Sequence, residues 1–104
     1  MTEQEFLEDT IAQAELNDIL WVHIPDSRRV PSSRGMPDLF LIGKYACMWR
    51  ELKTEHADLS THQNMWKWKL LAAGQDFDIW RPSDRDGRIQ EELYNLNKPK
   101  VHRY

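Results

Sequence analysis

Hydrophobic and polar positions alternate along this chain with the helical period in some stretches and with the two-residue period of a strand in others. The pattern predicts three helices and four short strands. Thr2 and Glu5 have the spacing of a capping box, and apolar residues then recur at helical intervals to about residue 17. The positions of this first helix that are expected to face the core are Phe6, Ile11 and Ala14. A second capping box, Ser60 with Gln63, opens a helix that should run to about residue 73 and stop at Gly74.

Four apolar runs have the length and composition of β-strands, and they are residues 19–24, 39–42, 48–53 and 77–80. The run 48–53 alternates between two faces, with Met48, Arg50 and Leu52 on one and Trp49, Glu51 and Lys53 on the other. A parallel arrangement of runs 48–53 and 77–80 would make the helix between them a crossover connection. The pattern therefore predicts an α/β fold.

The last part of the chain is predicted to contain a turn at residues 84–87, a short helix at 89–96 and a frayed tail at 97–104. The apolar positions of the short helix are Ile89, Leu93 and Leu96. With 104 residues, the chain is expected to form a single small domain with a modest core.

Composition narrows the class of protein. No secretory segment and no apolar run long enough to cross a membrane is visible, so the protein is expected to act in the cytoplasm, without a membrane partner. The single cysteine, Cys47, excludes an internal disulfide and fits a reducing compartment. The histidines and Cys47 lack the spacing of a zinc site, so no zinc is expected.

Charge is distributed unevenly, although the net charge is only −3. Residues 1–18 carry −6, whereas residues 27–53 carry +4. Phosphate groups respond to such local charge more than to the overall balance, so the basic segment is compatible with nucleic-acid contacts. A solvated charged surface would give the same pattern.

Two acidic residues, Asp38 and Glu51, are predicted to meet across neighbouring strands. With a two-residue turn at Lys44-Tyr45, they lie directly opposite each other with Cβ atoms roughly 5 Å apart. Lys53 is two residues from Glu51 and shares its face. Two carboxylates beside a lysine suit a Mg²⁺ site, and a surface hairpin with a nearby salt bridge is the alternative interpretation.

Five segments in order give this region a resemblance to a known family. They are His23-Ile24-Pro25-Asp26-Ser27-Arg28-Arg29, Gly35-Met36-Pro37-Asp38-Leu39, Glu51-Leu52-Lys53-Thr54, Ser60-x-x-Gln63 and Trp80-Arg81-Pro82-Ser83-Asp84. Together they resemble the VRR-NUC branch of the PD-(D/E)XK nucleases, in its small stand-alone, phage-like form. The resemblance covers roughly residues 3–85. It implies a restriction-endonuclease-like mixed β-sheet flanked by helices, with an αβββαβ core, a short helix at about 87–96 and a tail beyond it.

The resemblance implies a Mg²⁺- or Mn²⁺-dependent DNA endonuclease with no small-molecule cofactor. Asp38, Glu51 and the backbone carbonyl of Leu52 would bind the metal, and Lys53 would act on the attacking water. Gln63 would lie beside this site, although its capping role alone would also explain it. The implied substrate is branched or otherwise structured DNA, as for a Holliday-junction resolvase.

A glutamate near the start of the first helix completes the site in the family that this chain resembles. Glu3 matches that position best, judged by its distance from the run 19–24. Glu5 is the competitor, but its place in the capping box explains it without chemistry.

The segment 25–36 is a long loop with three arginines, Arg28, Arg29 and Arg34, which are predicted to contact DNA phosphates together with Ser27. An ordinary basic loop is the competing interpretation. His23 belongs to the same matching segment, but a strand-end histidine is the favoured interpretation.

The second helix has apolar residues on more than one face. Its predicted core stripe is Trp66, Leu70 and Ala73. Trp68 and Leu71 point away from that stripe, and burial under a second layer is the favoured expectation. If they are exposed, self-association ranks above stacking on a base, because cutting two DNA strands in one binding event needs two active sites.

The expected protein is a homodimeric nuclease of the cytoplasm. If the protein is phage-encoded, this is the cytoplasm of a bacterial host. Two further hypotheses compete with this one. The first is a non-catalytic module that binds nucleic acid or protein. The second is a partner-dependent subunit of a larger phage or DNA-processing assembly.

Overall fold

The first helix begins at the capping box that the sequence predicts. The computed structural model describes residues 1–24 and 34–100. Helix α1 spans Glu3–Leu16, and Thr2 and Glu5 exchange two hydrogen bonds of 2.9 and 3.1 Å at its start. The buried residues of α1 are Phe6, Thr10 and Ala14, while Ile11 is partly buried. The predicted core face is therefore confirmed, with Thr10 added to it.

Four strands form one mixed sheet in the order β1-β2-β3-β4. They are β1 (Leu20–His23), β2 (Leu39–Ile42), β3 (Cys47–Leu52) and β4 (Phe77–Trp80). The pairs β1–β2 and β2–β3 are antiparallel, and β3–β4 is parallel. With helix α2 (Thr61–Ala72) between β3 and β4, the element order is αβββαβ, as predicted.

The core lies on one face of this sheet, beneath α1 and the C-terminal helices. Pro82–Asp84 forms a 3₁₀ turn, Arg85–Ile89 a π-helical segment, and helix α3 spans Gln90–Asn95. The core side chains include Phe6, Ala14, Leu39, Leu41, Met48, Trp80, Ile89, Leu93 and Leu96. The prediction of a simple turn at 84–87 is wrong, because these residues are helical and lead Ile89 into the core.

A buried arginine ties strand β3 to the C-terminal helix. Arg50 is 3% exposed and pairs with Glu92 at 2.6 Å and with Asp76 at 2.9 Å, and its guanidinium lies 5.3 Å from the ring of Trp80. Burial opposes ionisation of Glu92, but hydrogen bonds from Arg50 and Arg88 hold the pKa of its carboxyl below the ordinary value. A buried charge needs such partners, so this network fixes β3 directly beside Glu51.

Helix α2 lies on the other face of the sheet. Ser60 and Gln63 form the predicted capping box, and the helix ends before Gly74, which has φ +78°. None of the residues of α2 is buried. The predicted core stripe is only partly correct, since Trp66 and Leu70 are half-buried and Ala73 is exposed.

The expectation that Trp68 and Leu71 are buried is wrong. Trp68 is 63% exposed and Leu71 40% exposed. The reason is that the described residues place no layer above the outer side of α2.

None of the helices in residues 1–24 and 34–100 combines the length and apolar character needed to cross a membrane.

Candidate active site

A two-residue turn between β2 and β3 sets the register of the site. The Gly43 amide donates to the Ala46 carbonyl at 2.8 Å, which leaves residues 44–45 as the turn. Leu39 then pairs with Arg50, so Asp38 lies opposite Glu51, as the sequence predicts. The Asp38 carbonyl accepts a hydrogen bond from Ile24 at 2.9 Å, which extends the β1–β2 pairing to this level.

The buried Glu51 carboxyl and the half-buried Asp38 carboxyl form a hydrogen-bonded pair. Glu51 is 3% exposed. Burial, the hydrogen bond with Asp38 and the negative charge of Asp38 together raise the pKa of Glu51 to about 10, although Lys53 opposes this shift. The other carboxylate is held in place because Asp38 Oδ2 accepts from the Leu52 amide at 2.8 Å. Near neutral pH, Glu51 is therefore protonated when no cation is bound.

The pair opens into a cavity of about 840 Å³ at the end of the sheet. Glu3, Asp38, Glu51, Leu52, Lys53 and Gln63 all line it. The structure therefore places every predicted metal-binding and catalytic residue around one cavity. Glu3 also contributes to the electrostatic environment of Glu51, whereas the Glu5 carboxylate accepts the Thr2 amide in the capping box, so the geometry favours Glu3 over Glu5.

Gln63 makes both contacts that the sequence left open. Its Oε1 accepts the Ser60 amide at 2.8 Å, and its Nε2 donates to Glu51 Oε1 at 3.4 Å. The Ser60 hydroxyl completes the capping box by accepting the Gln63 amide at 3.2 Å. One side chain therefore begins α2 and links it to the acidic pair.

Substituting Gln63 with Ala should lower stability and impair the site, whereas Ser60→Ala should only lower stability. Each change removes one half of the same capping box, which costs about 0.5–2 kcal/mol. Only the change at Gln63 also removes the donor to Glu51. Thermal unfolding should show similar losses in both variants. In a cleavage assay at a temperature where both are folded, equal activities would contradict a role for Gln63 at the site.

A glycine allows the segment before Asp38 to approach the start of α2 closely. Gly35 is buried and has φ +85°. A Cβ at this position would lie 2.5 Å from the His62 carbonyl oxygen and 2.7 Å from the Gln63 amide nitrogen. Next to it, the indole of Trp66 donates to the Arg34 carbonyl at 2.8 Å. Together these contacts hold the first turn of α2 against the strand that carries Asp38.

The linker between Lys53 and α2 is held by residues that follow β4. Arg81 donates to the carbonyls of Thr54 and Ala57 at 2.5 and 2.9 Å. The Glu55 carboxylate accepts the amide and hydroxyl of Ser83 at 2.6 and 2.9 Å. In the sequence, Arg81 and Ser83 stand out only as part of a matching segment, and these contacts give both a structural role.

The predicted DNA-binding residues are only partly described. Ser27, Arg28 and Arg29 lie outside the described residues, whereas Arg34 lines the cavity. His23, for which the sequence favours an ordinary strand-end role, also lines it. Asp58 and His62 are among the cavity residues that sequence reasoning missed. Nothing in their local sequence marks them, because the close approach of Gly35 and the folded linker bring them to the cavity.

The donor atoms at this site fit a hard divalent cation. Asp38, Glu51 and the carbonyl of Leu52 offer only oxygen, which Mg²⁺ and Mn²⁺ accept. Across residues 1–24 and 34–100, no three His, Cys, Asp or Glu side chains lie at metal-binding spacing. Glu3 thus does not form a closed cluster with the pair. The donor set suits Mg²⁺, which keeps several waters and binds through one or two carboxylates.

No family model, curated protein or solved structure matches this chain.

Proposed function

We propose that this protein is a Mg²⁺- or Mn²⁺-dependent nuclease that hydrolyses phosphodiester bonds in DNA, as its resemblance to the VRR-NUC nucleases implies. The observation that carries the proposal is the Asp38–Glu51 pair, buried beside Lys53 at an open cavity. Burying an acid beside a second acid is unfavourable unless a cation or a proton lies between them. A metal site gives a reason for such a pair.

Asp38 and Glu51 would hold the metal, together with the Leu52 carbonyl and with Glu3 as the more distant carboxylate. When bound, the ion would lower the pKa of a water molecule in the site and offset the negative charge on the scissile phosphate. Gln63 keeps the Glu51 carboxyl oriented through its 3.4 Å contact. Lys53, which acts electrostatically on Glu51, would orient the attacking water or stabilise the charge that develops on the phosphate.

Basic residues of the segment 27–53 would bind the DNA backbone. Arg34 is exposed at the cavity wall, and its backbone is fixed by Trp66. An arginine is suited to phosphate because its guanidinium is planar and always charged. Arg28 and Arg29 belong to the same proposal on the basis of sequence alone.

Removing the arginines should weaken DNA binding in a salt-dependent manner. Arg28→Ala combined with Arg29→Ala, and separately Arg34→Ala, should each lower affinity most at low salt. The slope of log affinity against log salt should fall by about 0.9 for each phosphate that the variant no longer neutralises. Fluorescence anisotropy with labelled duplex over a salt series measures this, with catalysis blocked by EDTA. An unchanged slope would remove the segment from the binding surface.

A second candidate is a subunit whose activity depends on a partner protein. It is favoured by the exposed apolar side chains of α2, since soluble monomers seldom leave large apolar patches in water. In this case the same acidic pair would cut DNA only within a larger assembly.

The test is incubation of the pure protein with labelled four-way junction, flap, single-stranded and linear duplex DNA. Each substrate is assayed with Mg²⁺, with Mn²⁺ and with EDTA, and binding is measured in parallel. The proposal expects metal-dependent cutting, fastest on a branched substrate. Binding without cutting would favour the partner-dependent subunit, and neither binding nor cutting would remove DNA as the substrate.

A further inference from the structure

One histidine at the cavity makes no polar contact with the protein around it. His62 is the second residue of helix α2, and its exposed side chain lines the cavity beside Gln63. In the part of the chain that the structure describes, its imidazole takes part in no hydrogen bond or ion pair. The capping box at the start of α2 is made by Ser60 and Gln63 instead. The imidazole is therefore available to contact a bound molecule.

The backbone of His62 is tied to both members of the acidic pair. On one side, the segment before Asp38 approaches so closely that a Cβ at Gly35 would overlap the His62 carbonyl carbon. On the other side, the next residue, Gln63, donates to Glu51 at 3.4 Å. These contacts hold His62 at a fixed place relative to the two carboxyls.

His62 and Lys53 approach the acidic pair from opposite flanks. Strand β3, which carries Glu51, lies between β2 and β4. The Lys53 amide donates to the Trp80 carbonyl of β4 at 3.0 Å, which ties Lys53 to the β4 side. His62 lies against Gly35, in the segment that leads into β2. The acidic pair therefore lies between a lysine on the β4 side and a histidine on the β2 side.

Hydrolysis of a phosphodiester needs a proton on the side opposite the attacking water. The attacking and leaving oxygens lie roughly in line through the phosphorus atom. Lys53 is proposed to orient the water, so the leaving oxygen lies toward His62. An alkoxide is a poor leaving group, since the pKa of water, a simple analogue of an alcohol, is about 15.7. A proton donor on the His62 side would speed its departure.

We infer that His62 is the general acid that protonates the leaving oxygen, an inference that rests on the proposed nuclease function. As the water attacks, a bond from its oxygen to phosphorus forms while the bond from phosphorus to the leaving oxygen breaks. The imidazolium gives its proton to the leaving oxygen, which departs as an alcohol. The attacking water releases one proton to solvent and the imidazole takes one back, so the histidine is restored after each turnover.

His62 suits this role better than two other basic residues at the cavity. Its imidazole can both give and take a proton near neutral pH, whereas the guanidinium of Arg34 stays charged. His23 is directly opposite Leu39 of the buried core, so its side chain points to the core face of the sheet. Asp38 precedes Leu39 and points to the other face, where α2 and His62 lie.

DNA with a bridging sulfur tests this role directly. A sulfur at the leaving position departs without a proton, because the pKa of a thiol is about 8.5. On ordinary DNA in Mg²⁺, His62→Gln should cut about 10²–10⁴-fold more slowly than the wild type. With sulfur at the leaving position, the two proteins should cut at the same rate. Sulfur is placed on the 3′ and on the 5′ side of the scissile phosphate in separate substrates, and the two proteins are compared within each substrate.

His56→Gln is the matched control for His62→Gln. His56 is also an exposed histidine, but it belongs to the linker before α2 and does not line the cavity. Its variant should cut every substrate like the wild type. Because the His62 side chain is exposed, thermal unfolding should show that its variant is folded. Fluorescence anisotropy in EDTA adds a readout without cleavage, and His62→Gln should bind DNA as tightly as the wild type, since a general acid acts in the transition state.

The possible failures of this inference and of the proposed function give different results. Cutting by His62→Gln at the wild-type rate would overturn the inference alone. A loss of the same size on oxygen and sulfur substrates, or weaker binding in EDTA that accounts for the whole loss, would also overturn it, because His62 would then hold the DNA and not supply a proton. A wild type that cuts none of the substrates would overturn the nuclease function and the role of His62 together.

Discussion

Replacing Glu51 with Gln should abolish the proposed DNA cleavage and raise the stability of the metal-free protein. The loss of cleavage should exceed the roughly 10²–10³-fold that follows removal of a single transition-state hydrogen-bond donor, because a metal ligand is removed. The gain in stability follows from the raised pKa of Glu51, about 10 in the folded protein against 4.5 for the free side chain. A neutral amide avoids the cost of keeping this buried acid protonated.

The raised pKa of Glu51 also determines how the stability of the fold changes with pH. Between about pH 4.5 and pH 10, the folded protein binds a proton at Glu51 that the unfolded chain releases. Stability therefore falls as pH rises through this range. At pH 7 the cost is on the order of 3 kcal/mol, at 1.36 kcal/mol for each pH unit above the unfolded pKa.

Thermal unfolding from pH 5 to pH 9 in EDTA, for wild type and Glu51→Gln, measures this contribution. The wild type should lose stability with rising pH more steeply than the variant. Added Mg²⁺ should stabilise only the wild type, because the ion replaces the proton on Glu51. Glu91→Gln, an exposed acid on α3, is the control and should resemble the wild type. A variant that is less stable than the wild type and still cuts DNA would contradict the assignment of the pair.

Replacing Gly35 with Ala should cause a large loss of stability. The left-handed backbone conformation costs about 1–2 kcal/mol with a Cβ present. The new Cβ would also overlap the backbone of His62 and Gln63, and such overpacking adds about 1–3 kcal/mol. The helix start must then move away from Asp38, and a displacement of about 1 Å at a catalytic site can lower the rate about 10²-fold.

Gly74→Ala separates the cost of the left-handed backbone from the cost of the overlap with α2. Gly74 has φ +78°, close to the +85° of Gly35, but a Cβ there meets no atom within 4 Å. It should therefore incur only the backbone cost and leave cleavage unchanged. Unfolding by urea and initial cleavage rates should be measured for both variants. If both lose the same stability and the same activity, the close approach of Gly35 to α2 is not what positions the site.

Local patterns were sufficient to predict the strands and the acidic pair. The alternation of residues 48–53 and the two-residue turn at Lys44-Tyr45 fix the face and the partner of Glu51, because side chains in a strand alternate with a period of two. Both capping boxes also formed as predicted, since each involves residues only three positions apart.

The contacts that complete the site could not be predicted, because they join residues far apart in the sequence. Trp66 reaches the Arg34 carbonyl across 32 positions, and Arg50 reaches Glu92 across 42. Nothing near Gly35 in the sequence indicates which backbone it will touch. The exposure of Trp68 was also missed, since apolar periodicity shows which side of a helix a residue occupies but not whether another layer covers that side.

Cleavage of a labelled four-way junction by wild-type and Glu51→Gln protein, each in Mg²⁺ and in EDTA, tests the central claim most directly. The acidic pair predicts cutting only by the wild type in Mg²⁺, with the variant folded and still able to bind the junction. Equal cutting by the variant, or cutting by the wild type in EDTA, would contradict a metal-dependent site at Asp38 and Glu51.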